Sequence, residues 1–286
     1  HYTSPSDTDL AYVKAEYLDN KGELREVRSS VYVDSLMIEG LGSTKNYTVT
    51  LYSEDKFEHS SAGVKASITP YTPPVVAVFN SLEWFTGFGG VVVNYDNSTG
   101  SNFAAYTLVK GNDGSGDAYD TYYTNTRSGK FSVRGLASEE TDFAIYVRDK
   151  WDNCSDTLYF TTTPWFESEL DKKSFQHVAL SDEVMEGYGY TYQHAFNGIS
   201  GSQWDTFHSG YPIPFPHYFT LDLGTIVQLS RFKMYQRPGS DCTYMHGNPK
   251  YYKVYGRTDK PTSAGMEGWT ELLTCNSFKP SGLPVG

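Results

Sequence analysis

Tyr47-Thr-Val-Thr-Leu51 alternates large apolar side chains with threonine, and the same phrasing returns as Phe143-Ala-Ile-Tyr-Val147. Alternation places one side of an extended strand inward. Tyr47, Val49 and Leu51 in the first copy, and Phe143, Ile145 and Val147 in the second, are therefore expected to face a core. The surroundings repeat as well. Ile38-Glu-Gly-Leu41 and Asp55-Lys-Phe57 frame the first copy, Val133-Arg-Gly-Leu136 and Asp149-Lys-Trp151 the second. A Gly-Leu turn, a polar stretch and an aromatic opening an alternating strand mark the corner of a two-sheet sandwich. Each copy then closes on a strand ending in Thr-Pro or Thr-Thr-Pro.

The rest of the chain follows the same grammar. Helical periodicity is almost missing, and short alternating runs such as Leu10–Tyr17 and Phe219–Leu223 stand between Gly, Asn, Asp and Ser clusters. The fold class this predicts is all-β, as three consecutive β-sandwiches. Pro73–Pro74 and Pro164 fall where the alternation breaks, giving expected modules at 1–72, 73–163 and 164–286. Few residues precede the Leu10 strand, so the first module is expected to lack opening strands.

Lys and Arg number 23 against 34 Asp and Glu, a net charge of −11, which argues against nucleic acid or an anionic membrane as partner. No apolar run reaches the ~18 residues of a transmembrane helix. Tyr supplies 24 of the residues, fitting both sheets and surfaces that grip polar ligands with flat rings. Cys154, Cys242 and Cys275 make neither a disulfide scaffold nor a zinc site. A Cys242–Cys275 pair and free, partly buried thiols both remain open. No G-x-S-x-G, H-E-x-x-H, P-loop or dinucleotide fingerprint is present, so the protein is expected not to be an enzyme.

The first two segments resemble fibronectin type III modules. From Trp165 the landmarks are Ala195-Phe-Asn-Gly198, Gln203-Trp204, Tyr218-Phe-Thr-Leu-Asp-Leu-Gly224, Arg231-Phe-Lys-Met-Tyr-Gln-Arg237, Lys253-Val-Tyr-Gly256 and Gly268-Trp269. In this order they resemble the discoidin domain, the coagulation-factor C-type or galactose-binding-like jelly roll. Leu10-Ala-Tyr-Val-Lys-Ala-Glu16, Gly87-Phe-Gly-Gly-Val91, Gly247-Asn-Pro-Lys250 and Lys279-Pro-Ser-Gly-Leu-Pro284 resemble Bacteroidetes surface proteins that join two fibronectin-like modules to such a domain. Those proteins are encoded beside glycan-uptake systems. The resemblance implies an outer-membrane lipoprotein at the cell surface, its signal and lipidated Cys outside this sequence. It also implies a strand ending at Arg237 and closing strands after Pro284. No cofactor is required. A structural Ca²⁺ is implied at the loop where Asn197 replaces the family's acidic residue, with weaker affinity for one negative ligand fewer.

Sugar recognition needs a flat ring under the C–H face of a pyranose, and polar groups to exchange hydrogen bonds with hydroxyls. Three aromatic, histidine-rich loops offer these: 188–194, 204–211 and 237–248. In family 32 carbohydrate-binding modules, which the third segment resembles in fold, an aromatic, a His, an Arg and an Asn share one loop edge. The expected ligand-binding set is therefore His208, Arg237, Tyr244, His246 and Asn248, with Tyr190 and Trp204. Competing structural roles are plain: Trp204 in the core, Arg237 paired with Asp222 or Asp241, and Tyr188, Tyr190 and Tyr192 as one face of an edge strand. His194, His208 and His246 lack metal-ligand spacing. Asp113-Gly-Ser-Gly-Asp117 reads as a hairpin tip, not a calcium loop. Trp84 reads as core of the second module.

The expected function is non-catalytic capture of an oligo- or polysaccharide by the third module, raised on two spacers. The acidic surface favours a neutral or cationic ligand, a preference that local charge around Arg237, His246 and Lys250 can reverse. The alternatives are a protein–protein scaffold within an outer-membrane uptake complex and the accessory region of a larger glycoside hydrolase.

Overall fold

The computed structural model describes residues 1–3, 7–110, 118–210, 215–239 and 242–282. The fold is all-β, and the chain divides into a compact unit of residues 1–167 and a second of residues 168–286. Asp113-Gly-Ser-Gly-Asp117 lies outside the described residues, as do Tyr211 and Asp241.

The first unit begins with β1 (Leu10–Leu18), β2 (Leu24–Ser30), β3 (Tyr47–Asp55) and β4 (Val64–Ile68), an antiparallel sheet of order β2-β1-β3-β4. Tyr47 and Val49 point inward as expected, beside Val13, Ala15 and Tyr17. Among the described residues no second sheet covers this face. Leu36, Ile38 and Leu41, from chain without strand structure, pack against it, and the Tyr17 hydroxyl holds that cover by donating to the Glu39 carbonyl at 3.0 Å. The apolar stripe is buried by an irregular segment instead of by strands.

A complete sandwich follows: α1 (Pro74–Asn80), β5 (Glu83–Gly87), β6 (Gly90–Asp96), β7 (Phe103–Val109), β8 (Asp120–Thr124), β9 (Ser128–Val133), β10 (Thr141–Arg148) and β11 (Cys154–Thr162). Sheets β5-β6-β9 and β11-β10-β7-β8 enclose Val91, Val93, Phe131 and Val133 from one side and Phe103, Phe143, Ile145 and Val147 from the other. Trp84 stacks on Phe160 at 4.1 Å against this core, where the sequence places it. The helix is a departure from the sequence reading. Pro73–Pro74 starts it, because a proline at the first helical position loses no hydrogen bond. Val75 and Val78, three apart, then face the core. The chain keeps to this module past Pro164: Trp165 exchanges backbone hydrogen bonds with Gly87 and Gly89, and Arg134 pairs with Glu167 at 2.9 Å.

The second unit contains β12 (Gln176–His177) paired with β13 (Leu221–Asp222), and β14 (Tyr251–Gly256) paired with β15 (Thr270–Asn276). The expected strand at Phe219–Leu223 shortens to two residues. The strand expected to end at Arg237 is not formed: no strand lies among the described residues of 225–239, and Ile226, Leu229, Phe232 and Tyr235 stand exposed. A strand is held by its partner's hydrogen bonds, so alternation without a neighbour leaves it irregular. Among the described residues these are two separate two-stranded ladders. Packing comes instead from rings: Tyr192 stacks on His177 at 3.7 Å and on Phe207 at 5.4 Å, with Phe219 beside them. None of the three cysteines is joined in a disulfide; Cys242 is buried and Cys154 exposed.

Candidate functional site: an aromatic recess on the second unit

The segment Trp204-Asp-Thr206-Phe-His208 alternates, and its two sides have different fates. Phe207 joins the ring stack, and Asp205 accepts from the Asn197 amide at 2.6 Å. Trp204, Thr206 and His208 share the other side and line a recess of about 250 Å³ with Tyr188, Tyr190 and Arg237. Trp204 is 67% exposed, so the indole belongs to the recess and not to the core.

The neighbouring loop is fixed by backbone. Gly187 donates to the His208 carbonyl at 2.9 Å and Gly210 to that of Met185 at 2.7 Å, so the two segments run antiparallel. Tyr188 (φ 58°) and Gly189 (φ 83°) turn the chain, closed by Tyr190 N–H on the Gly187 carbonyl at 2.9 Å. This turn, followed by a 3-10 turn at Tyr192–Ala195, replaces the alternative of Tyr188, Tyr190 and Tyr192 on one strand face. The three part company: Tyr192 goes into the ring stack, while Tyr188 and Tyr190 meet His208, edge-on at 4.8 Å and tilted by 29° at 6.2 Å. His208 Nδ1 lies 2.7 Å from the Ser209 carbonyl, which can only accept. Nδ1 therefore carries the proton, and Nε2 is the nitrogen left for a ligand.

Arg237 reaches the recess from a third segment. Its Nε donates to the Gln203 carbonyl at 3.1 Å, and its guanidinium lies 5.5 Å from the centre of the Trp204 ring. Its backbone is held by Asn248, whose Oδ1 accepts from Arg237 N–H at 2.8 Å. Asn248 Nδ2 donates to the carbonyls of Arg237 and Cys242 at 3.1 and 2.8 Å. Asn248 is thus the brace of this loop, with both ends of its amide engaged. Tyr244 and His246, each with positive φ, turn the chain between Cys242 and Asn248 and do not line the recess. Of the seven residues expected from sequence, the structure gathers Tyr190, Trp204, His208 and Arg237, and leaves Tyr244, His246 and Asn248 outside. Tyr188 and Thr206 join them. Thr206 was legible from its alternation with Trp204 and His208.

The Asn197 loop does not fit calcium. Asn197 Oδ1 accepts from Ile199 N–H at 2.8 Å while its Nδ2 donates to Asp205, the nearby carboxylate. Among the described residues no three His, Cys, Asp or Glu side chains gather to hold a metal. A hard cation needs several free oxygens, and here the amide and carboxylate answer each other.

Three family models match in succession, each described as a domain of unknown function: DUF4959 over residues 1–70, DUF5126 over 71–173 and DUF5000 over 192–286. No curated protein matches the chain. Among solved structures, a two-domain fibronectin type III segment of chicken tenascin is 14% identical over 56% of this chain and 87% of its own, with a TM-score of 0.26. The SusE-like protein BT2857 is 33% identical over 75% of this chain and 80% of its own, with a TM-score of 0.41. By that identity across most of both sequences, the chain belongs to the family of the SusE-like protein.

Proposed function

We propose that the protein is a non-catalytic glycan-binding member of a cell-surface glycan-uptake assembly, and that the recess around Trp204 receives the sugar. The exposed indole carries this reading. A soluble protein gains nothing by holding a tryptophan two-thirds exposed beside two tyrosines, whereas a pyranose laid on the ring buries its C–H face there. Thr206 and His208 Nε2 supply hydrogen bonds at the rim. Each is worth only about 0.5–1.5 kcal/mol net, so single-site binding is weak and the assembly gains by multivalency. Hydrolysis needs two carboxylates across the bond, and none lines the recess among its described residues. SusE-like membership supports the surface setting, with an outer-membrane lipid anchor and uptake partners as its proposed surroundings.

The test is a glycan array followed by calorimetry on the whole chain. Trp204→Ala should weaken capture of whichever glycan binds by about 30-fold, and His246→Ala, outside the recess, should leave it. Capture undiminished by Trp204→Ala refutes the recess as the site.

A second reading, a protein scaffold of the same assembly, draws on Ile226, Leu229, Phe232 and Tyr235, exposed along one irregular segment. It predicts that charged replacements at Leu229 and Phe232 release a partner protein while sugar binding persists.

A further inference from the structure

Among the described residues the recess is lined by no carboxylate, in a chain that has negative charge in excess. Arg25, Arg28, Arg134, Arg148 and Arg257 each pair with a carboxylate, at 2.8–2.9, 2.5, 2.9, 3.5 and 2.5 Å respectively. Arg237, like Arg127 on the first unit, does not: among the described residues no carboxylate lies within ion-pair distance of it, and its side-chain partners are the Gln203 carbonyl and the Trp204 ring. The bond to Gln203 uses Nε and leaves the two terminal nitrogens at the end of the fork. The backbone beneath is clamped by Asn248 on both sides of the Arg237 peptide unit. Among the described residues the guanidinium held at the wall of this ring-lined recess thus faces no carboxylate.

The hydrogen-bonding inventory points the same way. A sugar hydroxyl both donates and accepts, so a site for a neutral sugar needs strong acceptors as well as donors. None of the six described lining residues is Asp, Glu, Asn or Gln. The acceptors are the hydroxyls of Tyr188, Tyr190 and Thr206 and one imidazole nitrogen, while the guanidinium only donates. Such a site suits a ligand with an accept-only group, and a planar carboxylate matches the paired N–H groups at the end of an arginine fork.

We propose that the ligand of this recess is an acidic glycan, with a uronic acid residue that sets its carboxylate on Arg237 and its ring against Trp204. The proposal rests on the recess being a sugar site. It reverses the expectation of a neutral ligand from net charge: the field of a −11 chain acts on approach, but the charge that the bound group meets is local.

The experiment is calorimetry of the whole chain, at low and moderate salt, with three acidic probes: oligogalacturonate, oligomannuronate and a glucuronate-bearing xylo-oligosaccharide. Each is paired with its carboxyl-reduced, neutral counterpart, and a sulfated oligosaccharide is added. At least one acidic probe should bind at least about tenfold more tightly than its neutral form. That margin should narrow as salt rises. Arg237→Gln should erase the margin between the acidic and neutral forms, and Arg237→Lys should restore part of it. Neutral forms that bind as well, or a margin that survives Arg237→Gln, overturn the acidic assignment and leave the sugar site standing. A sulfated probe that outbinds every uronate overturns the carboxylate. Binding by no probe of either kind, or binding indifferent to Trp204→Ala, overturns the sugar site and this inference with it.

Discussion

Replacing Asn248 by alanine should loosen the loop that carries Arg237, and the buried thiol of Cys242 reports it. Three hydrogen bonds of 2.8–3.1 Å disappear, one from Arg237 N–H and two to the carbonyls of Arg237 and Cys242. At about 1 kcal/mol each they sum to about 3 kcal/mol, and water entering this half-buried position returns part of that, leaving about 2 kcal/mol. Local opening that exposes Cys242, only 4% accessible, should become about 30-fold more frequent. Thiol-reagent labelling of Cys242, followed by peptide mass spectrometry in excess of fast reclosing, should accelerate by that factor. Cys154, already exposed, serves as the internal standard. Asn248→Asp should be worse than alanine. It keeps the acceptor for Arg237 N–H but turns a second oxygen on two carbonyl oxygens. Unchanged Cys242 labelling in both variants refutes the brace, and an aspartate milder than alanine refutes the assignment of the amide's two ends.

Trp204→Ala should weaken glycan capture about 30-fold by calorimetry without lowering the urea midpoint. A tryptophan offers at most about 250 Å²; two-thirds of it is exposed, one face of that is about 80 Å², and at ~25 cal/mol per Å² its burial is worth about 2 kcal/mol. Gly90→Ala would set a Cβ 1.9 Å from the Val133 carbonyl, backbone against backbone, so β6 and β9 must part and the thermal midpoint should drop steeply. Gly22→Ala is the matched control, a strained φ in open space, costing about 1 kcal/mol. Glu54, buried in β3, is held below its ordinary 4.5 by the Ser60 hydroxyl and the Lys14 ammonium, and Lys14 is raised above 10.5 by Glu54. The Glu54 contribution is whole above about pH 4.5 and falls away as pH drops through the lower folded value; that of Lys14 is whole below 10.5 and lost above it. The urea midpoint of Glu54→Gln should therefore lie below that of the parent at pH 7 and approach it towards pH 3, and a gap of constant size would refute the pairing.

The paired strands around Tyr47 and Phe143 were legible because alternation is local: one side of a strand is apolar whatever it packs on. The helix at Pro74 was missed: a proline at the first turn with Val75 and Val78 three apart marks it, but a seven-residue helix has too few turns to show a period. The recess was half legible. Trp204, Thr206 and His208 share a side through alternation along one segment, and Tyr190 and Arg237 through ring and charge chemistry suited to sugar. What alternation could not settle was partnership. The Arg231–Arg237 run alternates and finds no neighbouring strand, so it forms none. Asn248 has the chemistry of a ligand residue, yet its amide is fully engaged by two carbonyls and an N–H brought to it by a loop that turns at Tyr244 and His246. Composition established an acidic, tyrosine-rich chain and alternation a β fold, since composition and period are properties of the chain alone. Which arginines meet a carboxylate depends on distances between segments far apart in sequence, and those exist only once the backbone has closed.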